Sequence, residues 1–153
     1  MNFEKELFTS SPEQTEHIGK EFALALRADP SLPRFIALFG DLGVGKTAFV
    51  RGFTQIFAPN AKVKSPTFAL VNEYRCSQNA ANIRKICHFD MYRVTDEDDL
   101  YSIGFYDYLT DRNLCIAEWC ELIPYALPDE YFKVTIKKSG NGDRREISIV
   151  LES

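Results

Sequence analysis

The sequence lacks any apolar run that approaches the roughly 18 residues needed to cross a bilayer. Its first ten residues, "MNFEKELFTS", carry acidic side chains and no apolar stretch, so they do not predict a signal peptide. Repeats, low-complexity tracts and linkers are also missing. We therefore expect residues 1–153 to form a single domain with one core, located in the cytoplasm.

Cysteine pairs and a surplus of basic charge are missing too. The four cysteines include no C-x-x-C pair, and the two histidines form no zinc-like grouping with them. They predict reduced, mostly buried thiols rather than a redox or metal site. The net charge of −4 argues against autonomous binding of nucleic acid, which usually rests on a basic surface. It does not argue against docking on a protein that binds nucleic acid.

The apolar pattern predicts alternating strands and helices. "RFIALF" and "NLCIAEW" are short apolar runs typical of buried strands, and "KTAFVRGFTQIF" has its apolar residues at helical spacing. "SSPEQ" predicts a helix start, with Ser11 as N-cap, Pro12 at the first helical position and Gln14 closing a capping box. "TDEDDLYSIGFYDYL" predicts a further helix, with Thr95 as its cap.

Two hairpins complete the predicted fold. "TFALVNEY" and "IRKICHF" are predicted strands joined by a polar turn, and the chain ends in two alternating runs around a Gly/Asn/Asp turn. The elements together predict an α/β fold with a mostly parallel central sheet, flanking helices and added antiparallel hairpins.

The stretch "GDLGVGKT", Gly40 to Thr47, joins the first buried strand to a helix in the G-x-x-x-x-G-K-T phosphate-loop arrangement. Its glycines allow backbone N–H groups to turn toward phosphate oxygens. Lys46 can reach the β- and γ-phosphates, and the Thr47 hydroxyl can bind Mg²⁺. The fold is therefore predicted to be P-loop NTPase-like, and the expected nucleotide-binding residues are Asp41, Leu42, Gly43, Val44, Gly45, Lys46, Thr47 and Ala48.

Two acidic residues end predicted strands, where α/β sheets place functional side chains. Asp90 ends "ICHFD" and Glu118 ends "LCIAE". Either carboxylate could hold Mg²⁺ or orient an attacking water. His88 lies two residues before Asp90 and so shares its strand face, where we expect a hydrogen-bonded structural histidine.

The motifs leave three classes of function open. No N-K-x-D element is present to read guanine, which favours an adenine nucleotide. A small-molecule kinase usually needs a lid with several arginines, and Arg144 and Arg145 are the only adjacent pair. An ATPase, such a kinase, or a nucleotide-gated binding module with little turnover all remain possible.

The motifs "GDLGVGKT", "VKSPTF", "HFDMYR" and "AEW", in this order and spacing, resemble the TsaE family, also known as YjeE. The resemblance covers essentially the whole chain. It implies a bacterial ATPase, with ATP or ADP and Mg²⁺ as cofactors, needed for threonylcarbamoyladenosine at position 37 of tRNA. It also implies docking on a TsaB–TsaD complex, contact with tRNA only through that complex, and weak activity alone. The oligomeric state is left open.

The resemblance also implies roles for single residues. Thr47 and Glu118 would bind Mg²⁺, and Asp90 would position water or metal. Ser65 and Thr67 would lie on a switch-like segment near the γ-phosphate. The implied catalytic set is Lys46, Thr67, Asp90 and Glu118, and the implied adenine contacts are Glu13, Gln14 and Arg144.

Overall fold

The computed structural model describes residues 4–41, 43–66, 70–77, 82–140 and 142–153. The described residues form seven strands: Glu4–Thr9 (β1), Phe35–Phe39 (β2), Val71–Arg75 (β3), Lys85–Asp90 (β4), Asn113–Glu118 (β5), Tyr131–Lys138 (β6) and Arg145–Glu152 (β7). Their α-helices are Pro12–Ala28 (α1), Lys46–Phe57 (α2) and Glu97–Ser102 (α3), and 3₁₀ turns cover Phe105–Tyr108, Cys120–Leu122 and Pro124–Ala126. Among these residues, no helix is long and apolar enough to span a bilayer.

The strands form one sheet in the order β1-β7-β6-β2-β5-β4-β3. The four central strands, β6, β2, β5 and β4, run parallel. β3 pairs antiparallel with β4, while β7 and β1 add antiparallel strands at the other edge. The predicted mostly parallel sheet with antiparallel additions is confirmed. Because parallel strands end at one edge, the carboxyl ends of β2, β4 and β5 lie together there.

The edge strand β1 was not predicted from the sequence. It pairs with β7 over its whole length, from Glu4 against Val150 to Thr9 against Arg145. Of its six residues only Thr9 is buried, so the segment has no alternation of apolar and polar residues to mark it as a strand.

Helices α1 and α2 cover one face of the sheet. Phe22 of α1 packs against Phe49 and Phe53 of α2, and against Phe132 from the sheet. The two helices touch through their backbones, because a Cβ atom added at Gly52 would overlap the carbonyl oxygen of Glu16. Glycine there lets α2, and with it the end of the phosphate loop, sit close to α1.

The other face is covered by α3 and the 3₁₀ turns, and here the predicted helix is corrected. The helix spans only Glu97–Ser102, and its N-cap is Asp96, whose side chain accepts from the Asp99 amide at 3.1 Å. Thr95 lies outside it and donates its hydroxyl to the Asp99 carboxylate at 2.8 Å. Gly104, in the left-handed region at φ 71°, ends the helical path, and a separate 3₁₀ turn follows.

The prediction that the cysteines are mostly buried is confirmed. Cys87, Cys115 and Cys120 are buried, and Cys76 is partly buried. Burial, with the nearby Cys87, raises the pKa of the Cys76 thiol to about 11, so it is a poor nucleophile near neutral pH.

Candidate functional site

The phosphate loop turns on glycines that a side chain could not replace. Gly43 has φ 81° and Gly45 has φ 112°, both in the left-handed region. Gly40 also has no room for a side chain, because a Cβ atom there would lie 2.6 Å from the carbonyl oxygen of Ile136. Gly45 is the N-cap of α2 and makes no side-chain capping bond, so the first amides of the helix are left for a ligand.

Lys46 is folded back into the site rather than extended into solvent. Its Nζ donates to the carbonyl oxygen of Gly40 at 2.7 Å and lies 3.6 Å from Oε1 of Glu118. The same ammonium sits 4.7 Å from the centroid of the Trp119 ring. Only 7% of the Lys46 side chain is exposed. The loop lysine, the carboxylate at the end of β5 and the indole that follows it therefore form one contact group.

Glu118 is a buried carboxylate with two nitrogen neighbours. Its Oε2 lies 2.6 Å from Nε2 of His88, while Oε1 faces Lys46. Burial alone would raise the pKa of Glu118, but the hydrogen bond from His88 and the nearby charge of Lys46 outweigh it and lower that pKa. The carboxylate is therefore held in its charged form near neutral pH.

Asp90 lies beside Glu118 at the sheet edge. The two residues are register partners at the ends of β4 and β5, so their side chains leave the same face. Asp90 is half-buried, and its Oδ1 accepts from the amide of Tyr92 at 2.9 Å. The amide of Asp90 donates to the carbonyl oxygen of Leu70, so the residue that precedes β3 reaches this edge.

The predicted site residues thus fall into three groups. The structure brings Lys46, Asp90 and Glu118 to one edge of the sheet, next to the half-buried Thr47 at the start of α2. Two predicted residues, Leu42 and Thr67, lie outside the described residues. Of the rest of the loop and its neighbours, Asp41 is exposed, Val44 and Ala48 are buried, and Ser65 is exposed.

The three predicted adenine contacts lie around the start of α1 and the last hairpin. Glu13 is exposed in the first turn of α1. The Gln14 side chain is already engaged, accepting from the amide and hydroxyl of Ser10. The Arg144 guanidinium lies 4.5 Å from the centroid of the exposed Phe8 ring. Contact with adenine remains a prediction for all three.

The same Gln14 contact bears on the predicted capping box. Ser11 accepts from the Gln14 amide at 3.1 Å, so the predicted N-cap is confirmed. The reciprocal bond goes to the amide of Ser10 rather than to that of Ser11. The box is thus closed one residue earlier than the sequence pattern predicts.

Arg145 contacts the phosphate loop, which the sequence did not predict. Its Nε donates to the carbonyl oxygen of Val44 at 3.0 Å, which ties the start of β7 to the phosphate loop. The arginine pair was visible in the sequence, but nothing there shows which member turns toward the loop. The antiparallel pairing of Arg145 with Thr9 places it at this corner.

An open cleft of about 490 Å³ runs beside the loop. Its walls are Gly40, Asp41 and Val44 from the loop, Trp119 and Glu121 after β5, and Thr135–Lys138 at the end of β6. It offers both carboxylate and ammonium groups next to the lysine site.

The donor set at the sheet edge fits Mg²⁺ bound partly by a nucleotide. A charged carboxylate and a threonine hydroxyl are the oxygen ligands this ion takes. In the described part of the chain, no group of three or more His, Cys, Asp or Glu side chains could hold a metal on its own. An ion at this place would therefore take its remaining ligands from phosphate oxygens and water, as Mg²⁺ does in nucleotide sites.

Comparison with known proteins adds to this geometry. The family model of the "Threonylcarbamoyl adenosine biosynthesis protein TsaE" matches residues 9–147. The tRNA threonylcarbamoyladenosine biosynthesis protein TsaE of Bacillus subtilis is 35% identical, over 92% of this chain and 81% of that protein. The protein of the same name from Haemophilus influenzae is 36% identical, over 88% and 82%. A crystal structure of Bacillus subtilis YdiB, 28% identical, matches with a TM-score of 0.71, covering 100% of this chain and 88% of that one.

Sheet order, phosphate loop and structural match together place the molecule in the class of P-loop NTPase-like α/β proteins, as the sequence predicted. Within that class the chain belongs to the TsaE family, whose model spans all but its two ends.

Proposed function

We propose that this chain binds and hydrolyses ATP with Mg²⁺ as an accessory subunit of threonylcarbamoyladenosine modification of tRNA. The observation that carries the proposal is the contact of Lys46 with both the loop carbonyl of Gly40 and the Glu118 carboxylate. Membership in a family named for this biosynthesis supplies the process in which the nucleotide site would act.

Phosphate binding rests on the amides at the start of α2 and on the ammonium of Lys46. The first amides of α2 have no side-chain cap, and anions are stabilised at such a helix end. Lys46 would exchange its contact with Glu118 for phosphate oxygens. Because Arg145 fixes the Val44 carbonyl, the loop is held in shape before a nucleotide arrives.

The two carboxylates at the sheet edge would bind the metal and orient the attacking water. Glu118, released from Lys46, would hold Mg²⁺ together with the Thr47 hydroxyl, and Mg²⁺ supplies charge compensation at the phosphates. Asp90, its neighbour in register, would orient the attacking water, because it is half-buried and lacks a cation of its own among the described contacts. Both roles follow from position at the sheet edge.

The partners in this proposal are TsaB and TsaD homologues, with tRNA reached through them in the cytoplasm. The acidic net charge agrees with a subunit that leaves the nucleic acid to others. An aromatic pair marks a place where a partner could sense the nucleotide. Tyr92 is 63% exposed, and its ring centroid lies 5.1 Å from that of Trp119, which in turn contacts Lys46.

The experiment is tRNA modification in a reconstituted mixture, counted per TsaB–TsaD complex. With this chain and ATP, each complex should modify many tRNA molecules. With Lys46→Ala, or without the chain, modification should stop after about one cycle. Arg51→Ala, which removes an exposed cation from the same helix, is the matched control and should behave as the wild type. Equal yields with and without the chain would refute the proposal.

One observation favours a second candidate, a small-molecule kinase. The cleft beside the loop is large enough for a small acceptor and carries both charge signs. This candidate predicts rapid ADP formation that depends on a metabolite and on no protein. A metabolite screen without TsaB–TsaD separates it from the ATPase.

A further inference from the structure

His88 is the one fully buried histidine of the chain, and its surroundings are unusual for a core residue. It is 0% exposed, and its Nε2 lies 2.6 Å from the Glu118 carboxylate. Its other ring nitrogen, Nδ1, has no hydrogen-bond partner among the described residues. A buried polar atom without a partner is unfavourable, so the reason for a histidine here lies in the contact that its other nitrogen, Nε2, makes.

The hydrogen bond shows which atom of the ring is the donor. A charged carboxylate has only acceptor atoms, so Nε2 must carry the proton and donate it. His88 and Asp90 leave the same face of β4, and Glu118 leaves the same face of β5, with Asp90 and Glu118 in register. His88 therefore contacts Glu118 from two residues further inside the sheet, whereas Asp90 lies directly beside Glu118 at the edge.

We propose that His88 is a positioning residue, which holds one oxygen of Glu118 so that the other faces Lys46 and the place of Mg²⁺. Without this donor, Glu118 could rotate or turn both oxygens toward Lys46, whose ammonium lies 3.6 Å from Oε1. The inference rests on the proposed function, because it assigns a purpose to the orientation of the proposed metal ligand. Partners that orient metal ligands in this way commonly change metal affinity about 10–100-fold when removed.

The test measures how much Mg²⁺ strengthens ADP binding, taken as the ratio of the Kd in EDTA to the Kd with Mg²⁺. His88→Leu removes the donor, and His88→Gln places an amide donor near the position of Nε2. We expect His88→Leu to lower this ratio about tenfold with the Kd in EDTA nearly unchanged, and His88→Gln to restore most of it. Glu118→Gln should lower the ratio too, and adding His88→Leu to it should have little further effect.

Each outcome has one meaning. If the wild type shows no Mg²⁺ effect on ADP binding, the proposed function fails at the metal site. If the wild type shows the effect and His88→Leu retains it, the positioning role is wrong. If His88→Leu weakens binding equally with and without Mg²⁺, or if His88→Gln fails to restore the ratio, the role is structural and the inference is overturned.

A second measurement keeps the inference testable if His88→Leu does not fold. Nitrogen-15 NMR of the wild-type imidazoles reports which ring nitrogen carries the proton. His17, exposed on α1 beside Glu21, is the other histidine of the chain and serves as the internal reference. We expect a protonated Nε2 on His88 whose signal shifts in Glu118→Gln. A proton on Nδ1 alone, or a signal unaffected by Glu118→Gln, overturns the inference.

Discussion

The Nζ of Lys46 lies 3.6 Å from the Glu118 carboxylate, and each of the two side chains is only 7% exposed. Two residues 72 positions apart in the sequence thus neutralise each other at the edge of the sheet. In the proposed function, phosphates would draw the lysine away and leave the carboxylate of Glu118 for Mg²⁺. The hydrogen bond from His88 and the charge of Lys46 together lower the pKa of the buried Glu118 carboxyl and hold it charged.

This relationship predicts an optical signal of nucleotide binding. The chain has one tryptophan, Trp119, and the Lys46 ammonium lies 4.7 Å from its ring. When ADP draws Lys46 toward its phosphates, the ring loses a cation neighbour, so tryptophan emission should change. In Lys46→Ala the emission should differ from wild type before ADP is added and stay constant afterwards. Calorimetric binding of ADP to the wild type with unchanged emission would contradict the predicted movement.

The lowered pKa of Glu118 predicts a pH-dependent contribution to stability. A carboxylate with a pKa below its unfolded value of about 4.3 stabilises the fold above that pH, and this contribution is lost as the pH falls through the folded pKa. The difference in unfolding free energy between wild type and Glu118→Gln should therefore shrink from pH 6 toward pH 3. Urea unfolding measures it.

Glu121→Gln, which removes an exposed carboxylate three residues later, is the control for charge alone. A wild type and a Glu118→Gln variant that lose stability in parallel over this pH range would show that Glu118 is not specially stabilised.

The contact of Arg145 with the loop predicts that the two arginines of the last hairpin act differently. Arg145→Met removes the donor to the Val44 carbonyl, so it should weaken binding of ATP and of inorganic tripolyphosphate about tenfold, the equivalent of about 1.4 kcal/mol. Arg144→Met should weaken binding of ATP only, if Arg144 contacts the base. Loss of tripolyphosphate binding in Arg144→Met but not in Arg145→Met would reverse the assignment.

The backbone contact of α1 with α2 predicts a large cost for a small substitution. Alanine favours a helix over glycine by about 1 kcal/mol, yet the Cβ of Gly52→Ala would overlap the carbonyl oxygen of Glu16. We expect a net loss of about 1–3 kcal/mol in the free energy of unfolding. Gly140→Ala meets open space but sits at a left-handed φ of 66°, so its loss measures backbone strain without any overlap. A stabilised Gly52→Ala would show that the helices can separate without cost.

The sequence was sufficient for the parts of the fold that have strong local signals. An apolar run, a glycine-rich loop and an amphipathic run follow each other, a pattern that predicts strand β2, the phosphate loop and helix α2. The predicted bounds of α2 match Lys46–Phe57. The edge strand β1 was missed because it is mostly exposed, so its pairing with β7 is set by the sheet rather than by its own residues. The third helix was predicted too long because the residues on both sides of Gly104 are compatible with a helix, whereas Gly104 itself adopts a left-handed conformation that ends it.

The candidate site likewise has residues that local sequence patterns predict and contacts that they do not. Lys46, Asp90 and Glu118 were predictable, since a loop motif and strand ends locate them. The bond from His88 to Glu118 joins residues 30 apart, and that from Arg145 to Val44 joins residues 101 apart. Both depend on how strands pair across the sheet, which no local pattern records. The sequence predicted a hydrogen bond for His88 but could not name its partner.

The central claim is tested most directly by ATP hydrolysis, measured for the purified chain alone and with a purified TsaB–TsaD pair. We predict slow turnover alone, strong stimulation by the pair, and loss of both rates in Lys46→Ala with Arg51→Ala unaffected. No stimulation, or full turnover in Lys46→Ala, would contradict the account.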